Sequence, residues 1–313
     1  MKEMITPENI IFNRRQLLCG TVLVAANCLV PSSSLAKLSR LHQQIFRNIT
    51  KSLWIWQTPL DQLPKVLDYA QRWNFKTLNY SIIPQEHSRL LGFNSSTVKM
   101  INKARRQGNF KFIALSGAPN WAYHGEQTPE TIINLLKIHR DIGGLFDGIH
   151  LNIEPHKLKG WRGAKRRQLA EGYYQLVKII AEQTKELKIP LNSTMYPAYA
   201  RVAVPSLGSS ILKSVIPYLN SVSISAYRNN PRHSFRIASL TLRQLASAET
   251  HWWMGVATHK TRNEKKTSYK NQSAAYFIES LSKLDTMARA TRARKNYAGI
   301  TIQHYGSVMR LTG

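Results

Sequence analysis

The residues with most chemistry in them are an amide and a carboxyl one position apart, Asn152-Ile153-Glu154, at the end of an apolar run that starts at Ile149. If 149–154 is extended, alternation puts His150, Asn152 and Glu154 on one face. Pro155 keeps Glu154 extended and ends the hydrogen-bond ladder there. A glutamic acid so exposed at a strand end can protonate a leaving oxygen or take a proton from water. The amide beside it can orient a polar substituent of whatever is bound. His150, deeper in the run, reads as a hydrogen-bonded core histidine, and Asp147, ahead of the strand, as structural.

A two-carboxylate mechanism needs a second acid near the first. The apolar run ending Val256-Ala257-Thr258-His259 supplies none, and Glu264 lies well down the following loop. Glu86 and Glu126 follow earlier strands and could face the same mouth, although each reads first as a solvated loop residue. His251 and His259 lack a third ligand at metal spacing, so no metal is expected. No Gly-x-x-x-x-Gly-Lys phosphate loop occurs, and no cofactor is expected.

Those residues must be held by the elements around them. Short β-rich runs at 53–57, 75–81, 111–116, 149–154, 190–196, 221–227, 252–257 and 298–304 alternate with helical patterns at 61–73, 97–107, 129–140, 164–187 and 270–291. Thr128-Pro129 reads as an N-cap with proline at the first helical position. Strand–helix alternation with nearly continuous apolar strands points to a buried parallel sheet, and eight strands is the number that closes a barrel. An open doubly wound sheet fits less well, because no Gly-x-Gly-x-x-Gly turn follows an early strand. The expected fold is α/β, a (β/α)8 TIM barrel in a single domain over residues 51–313, preceded by a lead-in segment at 37–50. Glu154 then ends the fourth strand at the face where barrel enzymes keep their active sites.

Residues 1–36 read as an address. Asn13-Arg14-Arg15-Gln16-Leu17-Leu18 resembles a twin-arginine export motif, an apolar run extends to Val30, and Ser34-Leu35-Ala36 offers a cleavage site. The run is shorter than the ~20 apolar residues of a spanning helix, so no transmembrane span is expected after cleavage. An exported protein, periplasmic or extracellular, follows. Cys19 and Cys28 both fall inside this segment, so the chain beyond it holds no disulfide. It carries 41 Lys and Arg against 15 Asp and Glu, a balance that attracts polyanions.

The stretch Phe146-Asp147-Gly148-Ile149-His150-Leu151-Asn152-Ile153-Glu154 resembles the signature of the chitinase-like glycoside hydrolases, family 18 in type. That signature runs apolar, Asp/Asn, Gly, apolar, Asp/Asn, apolar, Asp/Asn, any, Glu. Only His150 departs from it. The Asn-x-Glu pair is similar to that of the endo-β-N-acetylglucosaminidases in the same superfamily. The resemblance implies that Glu154 is the general acid and that the substrate's own 2-acetamido group is the nucleophile, oriented by Asn152. It also implies that Tyr227, ending strand six, polarises the acetamido carbonyl, and that Met195 and Tyr196 at the end of strand five touch substrate. Ser116-Gly117-Ala118 matches the family's third-strand motif in part. Tyr227-Arg228 stands where the family has Tyr-Asp, and Gln303-His304-Tyr305 stands where it has a tryptophan.

Sugar faces stack on aromatic rings, and Trp56, Trp121 and Tyr227 are the rings expected at the mouth, with Trp54 deeper. Gln303 and Tyr305 join them as candidate substrate contacts from strand eight. Two basic clusters follow strands and so belong to the mouth side: six cations from Lys157 to Arg167 around Trp161, and five from Lys260 to Lys270. Trp161 and Arg166 are therefore candidate contacts to an anionic glycan. The expected activity is a glycosidase acting on an N-acetylhexosamine-containing or anionic polysaccharide. The alternative is a non-catalytic glycan- or polyanion-binding protein on the same barrel. Nucleic acid is not the partner expected in an exported compartment, and no oligomeric state is implied.

Overall fold

The computed structural model describes residues 38–82, 95–108 and 110–313. The export segment and Glu86 lie outside them. Eight parallel strands close a barrel in chain order: β1 (Lys51–Ile55), β2 (Thr77–Ser81), β3 (Lys111–Ser116), β4 (Gly148–Leu151), β5 (Leu191–Met195), β6 (Ser221–Ile224), β7 (His251–Ala257) and β8 (Tyr297–Gln303). β8 pairs back onto β1, with Trp54 opposite Gln303. The expected (β/α)8 barrel is the fold observed.

Helices α2 (Leu63–Arg72), α3 (Ser96–Gly108), α4 (Glu130–Asp141), α5 (Arg166–Glu186), α6 (Ile211–Val215), α7 (Pro231–Leu245), α8 (Glu264–Thr267), α9 (Ala274–Arg289) and α10 (Tyr305–Thr312) complete the layer, after α1 (Arg40–Asn48). The lead-in segment is thus mostly helix. α1 places the Phe46 ring 5.3 Å from Trp73 and 6.1 Å from Phe75 and Phe277. Buried Lys51 donates to the Phe46 and Ile49 carbonyls, which satisfies acceptors that the end of α1 leaves open. Thr128 does not cap α4. Its hydroxyl accepts from Gln183 at 2.9 Å, and Pro129 itself is the N-cap residue.

The strands are not apolar throughout, as their sequences suggest at first reading. Outward positions carry Leu53, Ile55, Leu78, Ile149, Val222, Met254 and Ile302, all buried under helices. Inward positions are mostly polar. Ser52 donates to Thr301 at 2.7 Å, with Asn79 beside them. One layer higher, His150 Nε2 meets Thr194 Oγ1 at 3.1 Å, and its ring lies edge-on to Trp54, 4.9 Å away across the lumen. Buried groups of this kind are stable where such bonds are made.

One glycine sets where β4 ends. Gly117, after β3, has φ +149°, and a Cβ there would lie 2.5–2.7 Å from the Asn152 backbone. Its neighbour Ser116 accepts the Asn152 N–H at 2.7 Å. The β3 loop can lie this close to the catalytic candidate only because position 117 has no side chain.

Two outcomes are expected. Gly117→Ala should lose about 1–3 kcal/mol of stability in urea titration through strain at this φ, and it should displace Asn152. A melting curve equal to wild type would show that the loop can retreat freely. Burial holds His150 down to about pKa 3 against an ordinary 6.5. Between those values the unfolded chain takes up a proton that the native lumen refuses, so stability falls as pH drops through that window. Relative to His150→Asn, the wild type should lose about 1.4 kcal/mol more per pH unit between about pH 5.5 and 4. Parallel pH profiles would mean that the folded histidine protonates normally.

Candidate active site

Glu154 sits three residues past β4 with φ −120° and ψ 65°, no longer in the extended conformation expected ahead of Pro155, because the chain turns there into a one-turn 3-10 segment, Pro155–Lys157. Its side chain is 14% exposed. Three donors surround the carboxyl group. Asn152 Nδ2 lies 3.4 Å from Oε2, and the Lys157 ammonium pairs with the same oxygen. His156 Nε2 lies 3.8 Å from Oε1. Burial, then the Lys157 charge, lowers His156 to about pKa 4, so its ring is neutral at pH 7. Tyr199 is 3.0 Å from His156 Nδ1. With the phenol donating to Nδ1, the remaining ring proton is on Nε2 and faces Glu154.

The rest of the mouth closes around that carboxyl group from other strands. Tyr196, after β5, stacks on His156 with ring centroids 4.0 Å apart and planes 13° apart. Tyr227, after β6, packs over Gly255, where a Cβ would be 3.1 Å from its ring. Burial raises the Tyr227 pKa well above 10 and the Glu154 charge adds to it, so the phenol stays a hydrogen-bond donor. Trp56, after β1, lies 5.5 Å from His259 and 5.7 Å from His304. Burial lowers the pKa of His259 first. The Gln303 carbonyl opposes this, and the opposed charges of Lys157 and Glu154 also reach it. His304 is lowered to about 4 by burial, with His259 and Arg310 adding to the shift. Both rings are neutral at pH 7, so they bring hydrogen-bonding edges to the mouth without charge.

Asn152, Tyr227 and, through His156, Tyr196 therefore lie about Glu154, while Trp56 enters the mouth beside His259 and His304. Trp121, in the loop after β3, is half-buried against the core. Gln303 is inward-facing but 3% exposed, beneath the mouth, and its carbonyl accepts from Thr258. Four expected contacts lie elsewhere. Met195 is fully buried and shares the parity of Ser193, whose hydroxyl meets Tyr173 of α5, so it faces the helices. Tyr305 is inside the first turn of α10, its ring against Tyr69 of α2. Trp161 is 7% exposed and packs on Tyr199, while Arg166 donates to the Trp161 carbonyl at 2.9 Å. These two residues anchor their loop; neither ring nor guanidinium reaches Glu154. The sequence placed Lys157 in a basic cluster on the mouth side but carries no signal for Tyr199, His259 or His304 at this site, and for His156 only its position two residues past Glu154 behind a proline.

Among the described residues no group of three His, Cys, Asp or Glu side chains could hold a metal ion. Among the described residues the mouth offers the Glu154 carboxyl group with its donors, an amide, a phenol and aromatic faces. That set suits proton transfer to a bound polar molecule.

No protein-family model and no curated protein matches the sequence. Solved structures do match the fold. A chitinase from Chromobacterium violaceum aligns at a TM-score of 0.52 and 8% identity, over 83% of this chain and 95% of its own. A glycoside hydrolase family 18 chitinase from Pseudoalteromonas aurantia aligns at 0.51 and 13% identity, over 82% and 95%. Against the spore cortex-lytic enzyme SleL of Bacillus megaterium the TM-score is 0.45 at 11% identity, over 75% of this chain and 57% of that one. The fold of this chain is thus the closed (β/α)8 barrel that the two chitinases also have.

Proposed function

We propose that the chain is an exported glycoside hydrolase acting on a polysaccharide that contains N-acetylhexosamine, with Glu154 as its general acid. The observation that carries this reading is the set of groups gathered about Glu154 at the C-terminal mouth of the barrel: the Asn152 amide at 3.4 Å, the Tyr227 phenol within reach of its charge, and His156 with Tyr196 stacked on it. The barrel shared with chitinases supports it. Its fit to the sequence signature around Glu154 supports it further.

In this mechanism the glycosidic oxygen takes the place of Lys157 Nζ at Glu154 Oε2. Lys157 can give way, since its side chain is 58% exposed. The Glu154 proton passes to that oxygen as the bond to C1 breaks, and the acetamido carbonyl oxygen attacks C1. Tyr227 O–H donates to the acetamido group and polarises it. Asn152 gives Nδ2 to Glu154, which leaves its Oδ1 to accept the acetamide N–H. Water then attacks C1, the ring formed by the acetamide opens, and Glu154 recovers a proton from that water. Neutral Asn152 supplies orientation but no charge for the developing cation.

A second reading, a glycan-binding barrel without turnover, is favoured by the ammonium of Lys157 on the carboxyl group. One experiment separates the two: reducing-end release from chitin oligomers, poly-N-acetylglucosamine, peptidoglycan and an anionic exopolysaccharide. Glu154→Gln should lower release by about 10²–10⁴-fold, and Asn152→Ala should lower kcat more than it weakens binding. Binding by wild type and Glu154→Gln with no release from any substrate would establish the lectin-like reading instead. Export is tested separately by cell fractionation. Replacing both Arg14 and Arg15 with Lys should leave the protein in the cytoplasm, and unchanged export would rule out the twin-arginine route.

A further inference from the structure

Beside Tyr227 a concavity of about 590 Å³ opens between the β6 and β7 loops. Its lining includes Arg228, His233, Arg236, Lys266, Gln272 and Tyr276. Among the described residues no carboxylate lines it. The ion pairs among the described residues use none of these three cations. The nearby Glu264 is occupied by Lys270 and Asn271.

The walls are tied in place. Asn229 donates from Nδ2 to the Lys265 and Ser268 carbonyls at 2.9 and 3.3 Å and from its backbone to Lys266 at 3.1 Å, which locks the two loops together. Tyr276 O–H donates to the Asn229 carbonyl at 3.0 Å, and the residue remains 38% exposed. Arg228 donates to the Tyr227 carbonyl at 2.6 Å, which couples this concavity to the mouth. Like charges gathered without counter-ions repel one another, so the arrangement is incomplete until an anion enters. A fixed aromatic surface and an amide beside the cations suit a sugar ring rather than a bare ion.

We propose that this concavity is a subsite for an acidic sugar unit, its carboxylate or phosphate held by Arg228, Arg236 and Lys266 and its ring against Tyr276. The proposal rests on the reading of Glu154 as the catalytic acid and deepens it, because the glycan cleaved there is then anionic.

The test is calorimetric binding to the Glu154→Gln protein, which needs no turnover. The probes are an oligogalacturonate, an oligosaccharide bearing a 6-phosphate, and neutral chitohexaose. One acidic probe should bind about tenfold or more tighter than chitohexaose, as charge-assisted contacts predict, and which one names the anion. Arg236→Gln/Lys266→Gln should abolish that preference. Arg292→Gln/Arg294→Gln removes equal charge from exposed positions ahead of β8, at the opposite end of the barrel, and should retain it. Loss of preference in both doubles would make it an effect of net charge and overturn the subsite, as would no preference in the parent protein. An intact preference in a chain whose wild type cleaves nothing would overturn the hydrolase and leave the subsite standing. Melting curves of both doubles identify any loss of fold.

Discussion

Closure of an eight-stranded barrel is the constraint on which the rest of this molecule depends. Once β8 pairs with β1, every second side chain of every strand points into the lumen, where most are buried. In this chain those side chains are largely polar, and burial favours those that pair with one another or with the backbone. Ser52 with Thr301, Asn192 with Ser221, and His150 with Thr194 pair in this way, layer by layer. The apolar half of each strand is spent on the helices outside. Pairing between hydrogen-bonding groups is directional, so the lumen resists a one-residue slip that would exchange its two faces.

The mouth is the layer where that accounting stops. Above Trp54 and His150 the inward positions become Trp56, Asn152, Glu154, Tyr196 and Tyr227, which have solvent on one side. Glu154 is held by neighbours in its own loop, and the loop is held by buried anchors, Trp161 and Tyr199. Residues that looked like glycan contacts are therefore what keeps the carboxyl group in position. The structural use of Trp161 and the role proposed for Glu154 belong to the same short stretch of chain.

Charge is distributed unevenly between these tasks. A chain with 44 basic and 17 acidic residues cannot pair its cations internally. Most are solvated, and a few are placed: Lys51 under α1, Lys157 on Glu154, Lys165 over the Tyr123 ring. Arg228, Arg236 and Lys266 are grouped without an acid around one concavity, which makes them different in kind from the solvated remainder.

Strand number, strand order and the position of Glu154 at a strand end were legible in the sequence, because alternation and turn residues act locally and leave a local trace. The pairing of Asn152 with Glu154 was legible for the same reason, through the two-residue repeat of extended chain. What only the tertiary structure decided is which other side chains arrive. Met195 and Tyr196 are adjacent, yet strand parity sends the first under the helices and the second to the mouth. Tyr305 looks like a strand-end contact until α10 begins there and turns its ring toward Tyr69. His156, His259 and His304 carry no individual signal, and closure of the barrel gathers them around Glu154 and Trp56 from separate strand ends. Local sequence sets the period of each strand, but only closure sets which residues from distant strands share a layer, and catalysis is read from the layer.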